Sequence, residues 1–360
     1  MTHAHTSPCP RPAPRGARRR LVPLLLSALC ACSLARAAFA WDGSGHRMIT
    51  RVALEGLSPD MPAWLKDEKS IVAAPDCAQM PDRWRSVKVA QLKHVNEPDH
   101  YLDVEDLEPL GLTLNGLPPL RNEFVKQITL ARAKPDFKGP PVNEAQDTAK
   151  TQEYPGFVPY ATLENYGRLV GAFRMVRMFG AMKDDSKSVQ IETAQWNARV
   201  QIGILAHFVG DTAQPLHTTK HHHGWVGENP NGYTTDKKIH SYIDGEILRI
   251  HHISDADVKA KADFERRLDT NNLWGETLTY LDRSFHEVEP LYVLKKSGDL
   301  EKQKGKDFIV GRLADASSQL SALIEAAWAE AAPTAKDIED LKKYEDLQDG
   351  GGAARPQSSK

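Results

Sequence analysis

Thr193-Ala194-Gln195-Trp196-Asn197-Ala198-Arg199-Val200-Gln201-Ile202-Gly203-Ile204-Leu205-Ala206-His207-Phe208-Val209-Gly210-Asp211-Thr212 is a long helical run that turns apolar toward its end. Ile202, Ile204, Leu205, Ala206, Phe208 and Val209 surround one histidine and one carboxylate. At ~100° per residue, His207 and Asp211 lie within ~40° of each other on one helical face. An isolated pair at this spacing is ordinarily a surface contact worth a few tenths of a kcal/mol. The apolar setting predicts burial instead, and a buried imidazole and carboxylate need partners. A metal ion is one such partner.

Outward from this run the same logic repeats. His240-Ser241-Tyr242-Ile243-Asp244 has the same spacing in a second helical segment. His217 follows Gln214-Pro215, where the first helix should kink or end. Apolar periodicity predicts helices over 46–57, 121–132, 160–182, 193–212, 240–251, 272–294 and 307–331. No segment alternates with period two, so the expected class is all-α. Residues 133–159, with Pro135, Pro140, Pro141, Pro155 and Pro159, read as a surface loop, and 348–360 as a disordered tail. A single helical domain is expected over 41–347.

Composition sets limits. The 360 residues are 41% hydrophobic and 26% charged, which suits a globular core. The first 40 residues hold six arginines, no acidic residue, an apolar run of about 12 residues from Leu21 to Cys32, and the small-x-small end Ala38-Phe39-Ala40. They read as a signal peptide removed before Trp41, giving an exported protein, periplasmic or secreted, with no transmembrane segment. Leu29-Cys30-Ala31-Cys32 also fits a loose lipobox, and Arg18-Arg19-Arg20-Leu21 a loose twin-arginine signal. Removing six of the 46 basic residues leaves 40 against 48 acidic, a net charge of about −8. No basic footprint for duplex DNA remains. Cys77 is then the lone cysteine, so no internal disulfide can form.

Trp41-Asp42-Gly43-Ser44-Gly45-His46 would begin the mature chain. A free α-amine and its own carbonyl can chelate a metal in a five-membered ring, and the glycines let His46 fold back to the same ion. The ordinary alternative is an exposed N-terminus.

These motifs, in this order over roughly 41–250, resemble the trinuclear-zinc single-strand-specific nucleases called S-one and P-one, of the phospholipase C/nuclease superfamily. Asp82-Arg83-Trp84-Arg85 and His100-Tyr101-Leu102-Asp103 match two further family patterns; Asp76 and His94 are alternatives without the matching neighbours. The resemblance implies a buried cluster of three Zn2+ per chain. Asp82, His100, His207 and Asp211 would hold one ion. Trp41, His46 and the bridging Asp211 would hold a second, and His217, His240 and Asp244 a third. Three ions against three carboxylates leave about +3, so the cluster rather than the protein surface would attract a phosphodiester.

The implied activity is hydrolysis of single-stranded DNA or RNA to 5′-phosphates, with 3′-nucleotidase activity alongside. Asp82 and Arg85 would be catalytic, Arg85 by neutralising charge on the phosphoryl group. Tyr101 and Asp103 would bind a base, one by stacking and one by hydrogen bonding. Bland readings stand beside these: Arg85 as a partner of Asp82, Tyr101 as a core residue. His221, His222 and His223 read either as a solvated loop or as a substrate-facing or further metal-binding group, and His251, His252 and His286 as structural or exposed.

The chain departs from the family pattern in lacking disulfides, in Thr218-Thr219-Lys220 where an acidic pair often stands, and in Met80-Pro81 where a Trp usually precedes the first Asp ligand. The rival functions are a zinc-dependent phospholipase C and a non-catalytic zinc-binding protein. A monomer with no stable protein partner is expected. If the Trp41 amine is a ligand, an N-terminal extension should lower zinc content and activity, whereas a C-terminal one should leave both intact. N-terminal sequencing with elemental analysis checks this; a fully loaded, active protein starting elsewhere would refute it.

Overall fold

Asp42 opens the first helix. Its carboxylate accepts hydrogen bonds from the Ser44 and Gly45 N–H groups, so two of the donors a helix start leaves unpaired are satisfied as α1 (Gly43–Glu55) begins. The structure, a computed structural model, describes residues 41–350. The expected signal peptide and most of the expected tail lie outside them.

Asp67 caps α2 (Glu68–Cys77) through the Ser70 N–H. Two short helices follow, α3 (Met80–Trp84) and α4 (Ala90–Asn96), then a 3-10 turn at Pro98–His100. Beyond α5 (Arg121–Arg132), the proline-rich segment carries no helix until α6 (Val158–Met182), whose first turn accommodates Pro159. Lys183, in the left-handed conformation at φ 53°, ends α6 and leads into α7 (Ser188–Ala213).

After a 3-10 turn at Pro215–His217 come α8 (Ile239–Ser241), a π turn at Tyr242–Glu246 and α9 (Ile247–Ile250), one stretch with a widened turn inside it. α10 (Asp255–Lys259), α11 (Leu273–Phe285), α12 (Val288–Ser297), α13 (Gln303–Glu330) and α14 (Ala335–Gly350) complete the described chain. The protein is mainly helical and forms one domain; among the described residues there is no strand, only an isolated bridge between Leu102 and Gly156. Among them, too, no helix is long and apolar enough to cross a membrane.

The single helix expected over 272–294 is two. Pro290 would clash with the carbonyl four residues back and lacks the N–H a continuous helix requires, so the break falls at His286-Glu287 and Pro290 sits in the first turn of α12. The expected tail is also shortened, because α14 runs to Gly350.

α7 is the axis of the packing. Ile202, Leu205, Ala206 and Val209 join the core built with α1, α2, α6 and α13, while Ile204 and Phe208 join a second cluster with Phe124, Phe157 and Tyr160. Residues 202–213 are therefore buried on every side, as a helix without a solvent face must be. Gly203 permits α2 to approach α7 closely. A Cβ there would come 2.5 Å from the Ala74 carbonyl oxygen and 2.5 Å from Cys77 Cβ. Gly203→Ala should thus destabilise the fold by about 1–3 kcal/mol through overpacking. Thermal unfolding checks this, and an unchanged midpoint would mean that α2 can move away at no cost.

Candidate metal centre

Helix α7 carries His207 and Asp211 one turn apart, both fully buried. The His207 Nδ1–H donates to the Ala78 carbonyl (2.9 Å), which turns Nε2 inward to 3.3 Å from Asp211 Oδ2. His46 reaches the other side of Asp211 from α1, with Nε2 3.4 Å from Oδ1. It does so across Gly210, where any Cβ would come within 2.8 Å of His46 Nδ1. His100 enters from the 3-10 turn, its Nδ1 3.0 Å from both Asp211 Oδ2 and His207 Nε2. Asp82, on α3, places Oδ1 3.9 Å from the same His100 atom. The two oxygens of Asp211 therefore face different histidines: Oδ1 faces His46, and Oδ2 faces His100 and His207.

A further group forms beyond the end of α7. Gln214 is extended, Pro215 cannot continue the helix, and His217 closes the 3-10 turn that follows. The His217 Nδ1–H donates to the His100 carbonyl (2.6 Å), and Nε2 lies 2.9 Å from His240 Nε2. His240 Nε2 is 3.5 Å from Asp244 Oδ2. Gln214 fixes that carboxylate: its Nε2 donates to Asp244 Oδ1 (2.8 Å) while its own oxygen accepts the Leu216 N–H. Oδ2 is left for a ligand. The Asp42 N–H donates to the Asp244 carbonyl (2.7 Å), tying the residue after Trp41 to this group. Trp41 is itself fully buried.

Three sets of side chains thus converge: His46, His207 and Asp211; Asp82, His100 and His207; His217, His240 and Asp244. Within each set the ligand atoms lie within 4.8 Å of one another, and all the residues are buried. A tetrahedral ion with bonds near ~2.0–2.1 Å to nitrogen holds its ligand atoms about 3.3 Å apart, close to many of these separations. Both nitrogens of His46, Asp82 Oδ1, Asp211 Oδ1, His240 Nδ1 and Asp244 Oδ2 are buried without a hydrogen-bond partner among the described residues. Such atoms cost stability unless something pairs with them.

The electrostatics agree. Burial depresses His46 and His240, His217 to about 4 and His100 to about 3, which keeps these imidazoles neutral with lone pairs free. Burial lifts Asp244 well above the carboxylate range. It acts on Asp211 the same way, but the imidazoles of His207 and His217 nearby and hydrogen bonds from His100 and His207 hold Asp211 well below that range; His207, in turn, is raised against its burial by Asp211 and Asp82. Neutral imidazoles with carboxylates are a donor set for a divalent cation, with nitrogen and oxygen ligation suited to zinc.

Arg85 is half-buried at the edge of the cluster, its Nη1 3.8 Å from Asp82 Oδ1, and its charge contributes to the lowering of His100, His217, His223 and His240. The Tyr101 backbone and ring edge pack on Gly156, where φ is +117° and a Cβ would meet the Tyr101 carbonyl at 2.1 Å; burial raises its phenol. Asp103 Oδ1 lies 3.7 Å from His222 Nδ1. Asp76 pairs with Arg83 on the surface and His94 contacts the Ala149 carbonyl, so neither belongs to the three sets. His251 contacts the Leu300 carbonyl, and His286 is exposed beside Asp282.

Sequence reasoning missed Gln214 as the residue that orients Asp244, and Asn96, whose amide lies 3.3 Å from His100 Nε2. The only signal for Gln214 was a polar residue set between two ligands in an otherwise apolar stretch. No protein-family profile matches the chain, and no curated protein does. Since Asp211 faces two sets at once, Asp211→Ala should remove about two metal equivalents and His240→Ala about one. Elemental analysis after desalting checks this, and equal losses would show that Asp211 is not shared.

Proposed function

We propose that the chain is a zinc-dependent phosphodiesterase, a single-strand-specific endonuclease for DNA and RNA that yields 5′-phosphates and also acts on 3′-nucleotides. The observation that carries the reading is the pair of buried candidate ligand sets that share His207 and meet at Asp211, with a third set beside them and an arginine at the rim. The motif order of the sequence supports the same family. Export after removal of 1–40, and three zincs per chain, belong to this proposal.

Asp82, His100, His207 and Asp211 would hold one ion, His46 with Asp211 and the Trp41 amine a second, and His217, His240 and Asp244 a third. When bound, zinc supplies Lewis acidity: it polarises a phosphoryl oxygen and makes water a competent nucleophile near neutral pH. The chain does the rest. Gln214 and the carbonyls of Ala78 and His100 orient the ligands. The guanidinium of Arg85 would donate N–H bonds to the phosphoryl oxygens as charge builds on them. Tyr101 and Asp103 would hold a base, by its face and by its edge.

The test is a side-by-side assay of freshly purified mature protein on single-stranded DNA, RNA, duplex DNA, a 3′-nucleotide and phosphatidylcholine, with zinc measured in the same sample. Close to three zincs are expected, with single strands cleaved in preference to duplex. Arg85→Ala should lower kcat about 10²-fold at unchanged zinc content, as loss of a transition-state donor does. Turnover of phosphatidylcholine with every nucleic acid inert would overturn the reading in favour of a phospholipase. No turnover at full zinc would leave a binding protein.

A further inference from the structure

Behind the candidate ligand sets, a cavity of about 310 Å3 lies between α4, α6 and α7. His100 stands between the two. Its Nδ1 faces Asp211, while its Nε2 lies 3.3 Å from the amide nitrogen of Asn96, a residue of the cavity wall. No member of the three sets is among the residues that line the cavity. Much of the wall is apolar: Trp84 and Phe208 supply aromatic surface, and Val95 is exposed at the mouth.

Three polar side chains of the same wall have capacity to spare. Arg168 donates from Nη1 to a neutral amide oxygen, Asn165 Oδ1 (3.1 Å), and acts on Asp99 only from beyond ion-pair distance. Asp99 accepts from Arg121, but Arg121 is shared with Glu164, so one guanidinium serves two carboxylates. Gln201 donates from Nε2 to Asn197 (3.3 Å), and its Oε1 is buried with no hydrogen-bond partner among the described residues. Such an atom costs stability unless something pairs with it. An apolar cleft with a few convergent polar groups is the usual form of a small-molecule site, and ~300 Å3 is the small end of that class.

We propose that this cavity is a second ligand site, separate from the metal centre, for a free amino acid with a large apolar side chain. The carboxylate of the ligand pairs with Arg168. Its ammonium donates to Asp99 and to the vacant Oε1 of Gln201, and its side chain packs on Trp84 and Phe208. One zwitterion thus supplies the anion that Arg168 lacks, the cation that Asp99 shares with Glu164, and the donor that Gln201 lacks. The proposal does not depend on the phosphodiesterase reading.

The experiment is calorimetric titration of the purified chain with L-phenylalanine, with 3-phenylpropionate, which lacks the ammonium, and with 2-phenylethylamine, which lacks the carboxylate. Phenylalanine should bind saturably at one per chain, and each truncated probe about tenfold more weakly, the size of one lost hydrogen bond to a charged group. Arg168→Gln should weaken phenylalanine about tenfold and leave phenylethylamine unchanged, since that probe has nothing to pair with the guanidinium. Val95→Trp, a change at an exposed position, should block the mouth and abolish binding of all three. Absence of saturable phenylalanine binding, phenylpropionate binding as tightly as phenylalanine, or binding indifferent to both substitutions would overturn the site. None of these readouts involves turnover, so their failure is distinct from failure of the phosphodiesterase reading.

Discussion

The carboxylate of Asp211 sits in the last turn of α7 with no exposure to water, in the stretch 202–213 that is buried on every side. A charge buried this way costs several kcal/mol unless it is paired and hydrogen-bonded. Three imidazoles surround it, His46 on one oxygen and His100 and His207 on the other. Each comes from a different part of the chain. That single requirement explains why α1, the turn at Pro98–His100 and α7 must meet at one point. It also explains why Gly210 has no side chain, since a Cβ there would push His46 out.

The division of labour between long and short elements follows. The long helices α6, α7 and α13 hold the two apolar clusters. Most of the ligands outside α7 stand where the backbone is short or irregular: Asp82 on α3, His100 and His217 on 3-10 turns, Asp244 inside a π turn. Straight helices present side chains at fixed angles, and converging several ligands on one point needs those angles broken. The π turn does this locally, widening the helix between His240 and the residues after Asp244 and bringing the Asp244 carbonyl to the Asp42 N–H.

How far the sequence could be read follows from the same contrast. Helices such as Arg121–Arg132 run several turns with an apolar stripe, so periodicity locates them closely. α2, α3 and α4 span 10, 5 and 7 residues, too few for a period to stand out, and they were not foreseen. The division between α11 and α12 was legible in Pro290 but was masked by apolar residues on both sides. In the site, His207 with Asp211 and His240 with Asp244 could be read because both partners lie on one helical turn. Asp82 and His100 meet them only through tertiary packing, and spacing alone says nothing of that; motif resemblance singled them out. Gln214 stayed hidden because its role is to orient another side chain.

The protonation states tie the site to the stability of the fold. Asp244 is held well above its ordinary range by burial, so in the absence of a cation the folded state keeps a proton there that the unfolded state releases. Stability then falls as pH rises through that elevated value, because the unfolded chain gains more by ionising. Histidines held neutral by burial act in the opposite sense: acid favours the unfolded state, where they can charge. A divalent cation relieves both penalties, because it replaces the proton on Asp244 and takes up the imidazole lone pairs. The ligands run from His46 to Asp244, so an ion bound by the folded chain joins segments that the unfolded chain leaves far apart. Its binding free energy is to that extent folding free energy. The candidate ligand sets are therefore part of the core that α7 organises, and a bound cation would satisfy polar atoms in that core which nothing else among the described residues pairs with.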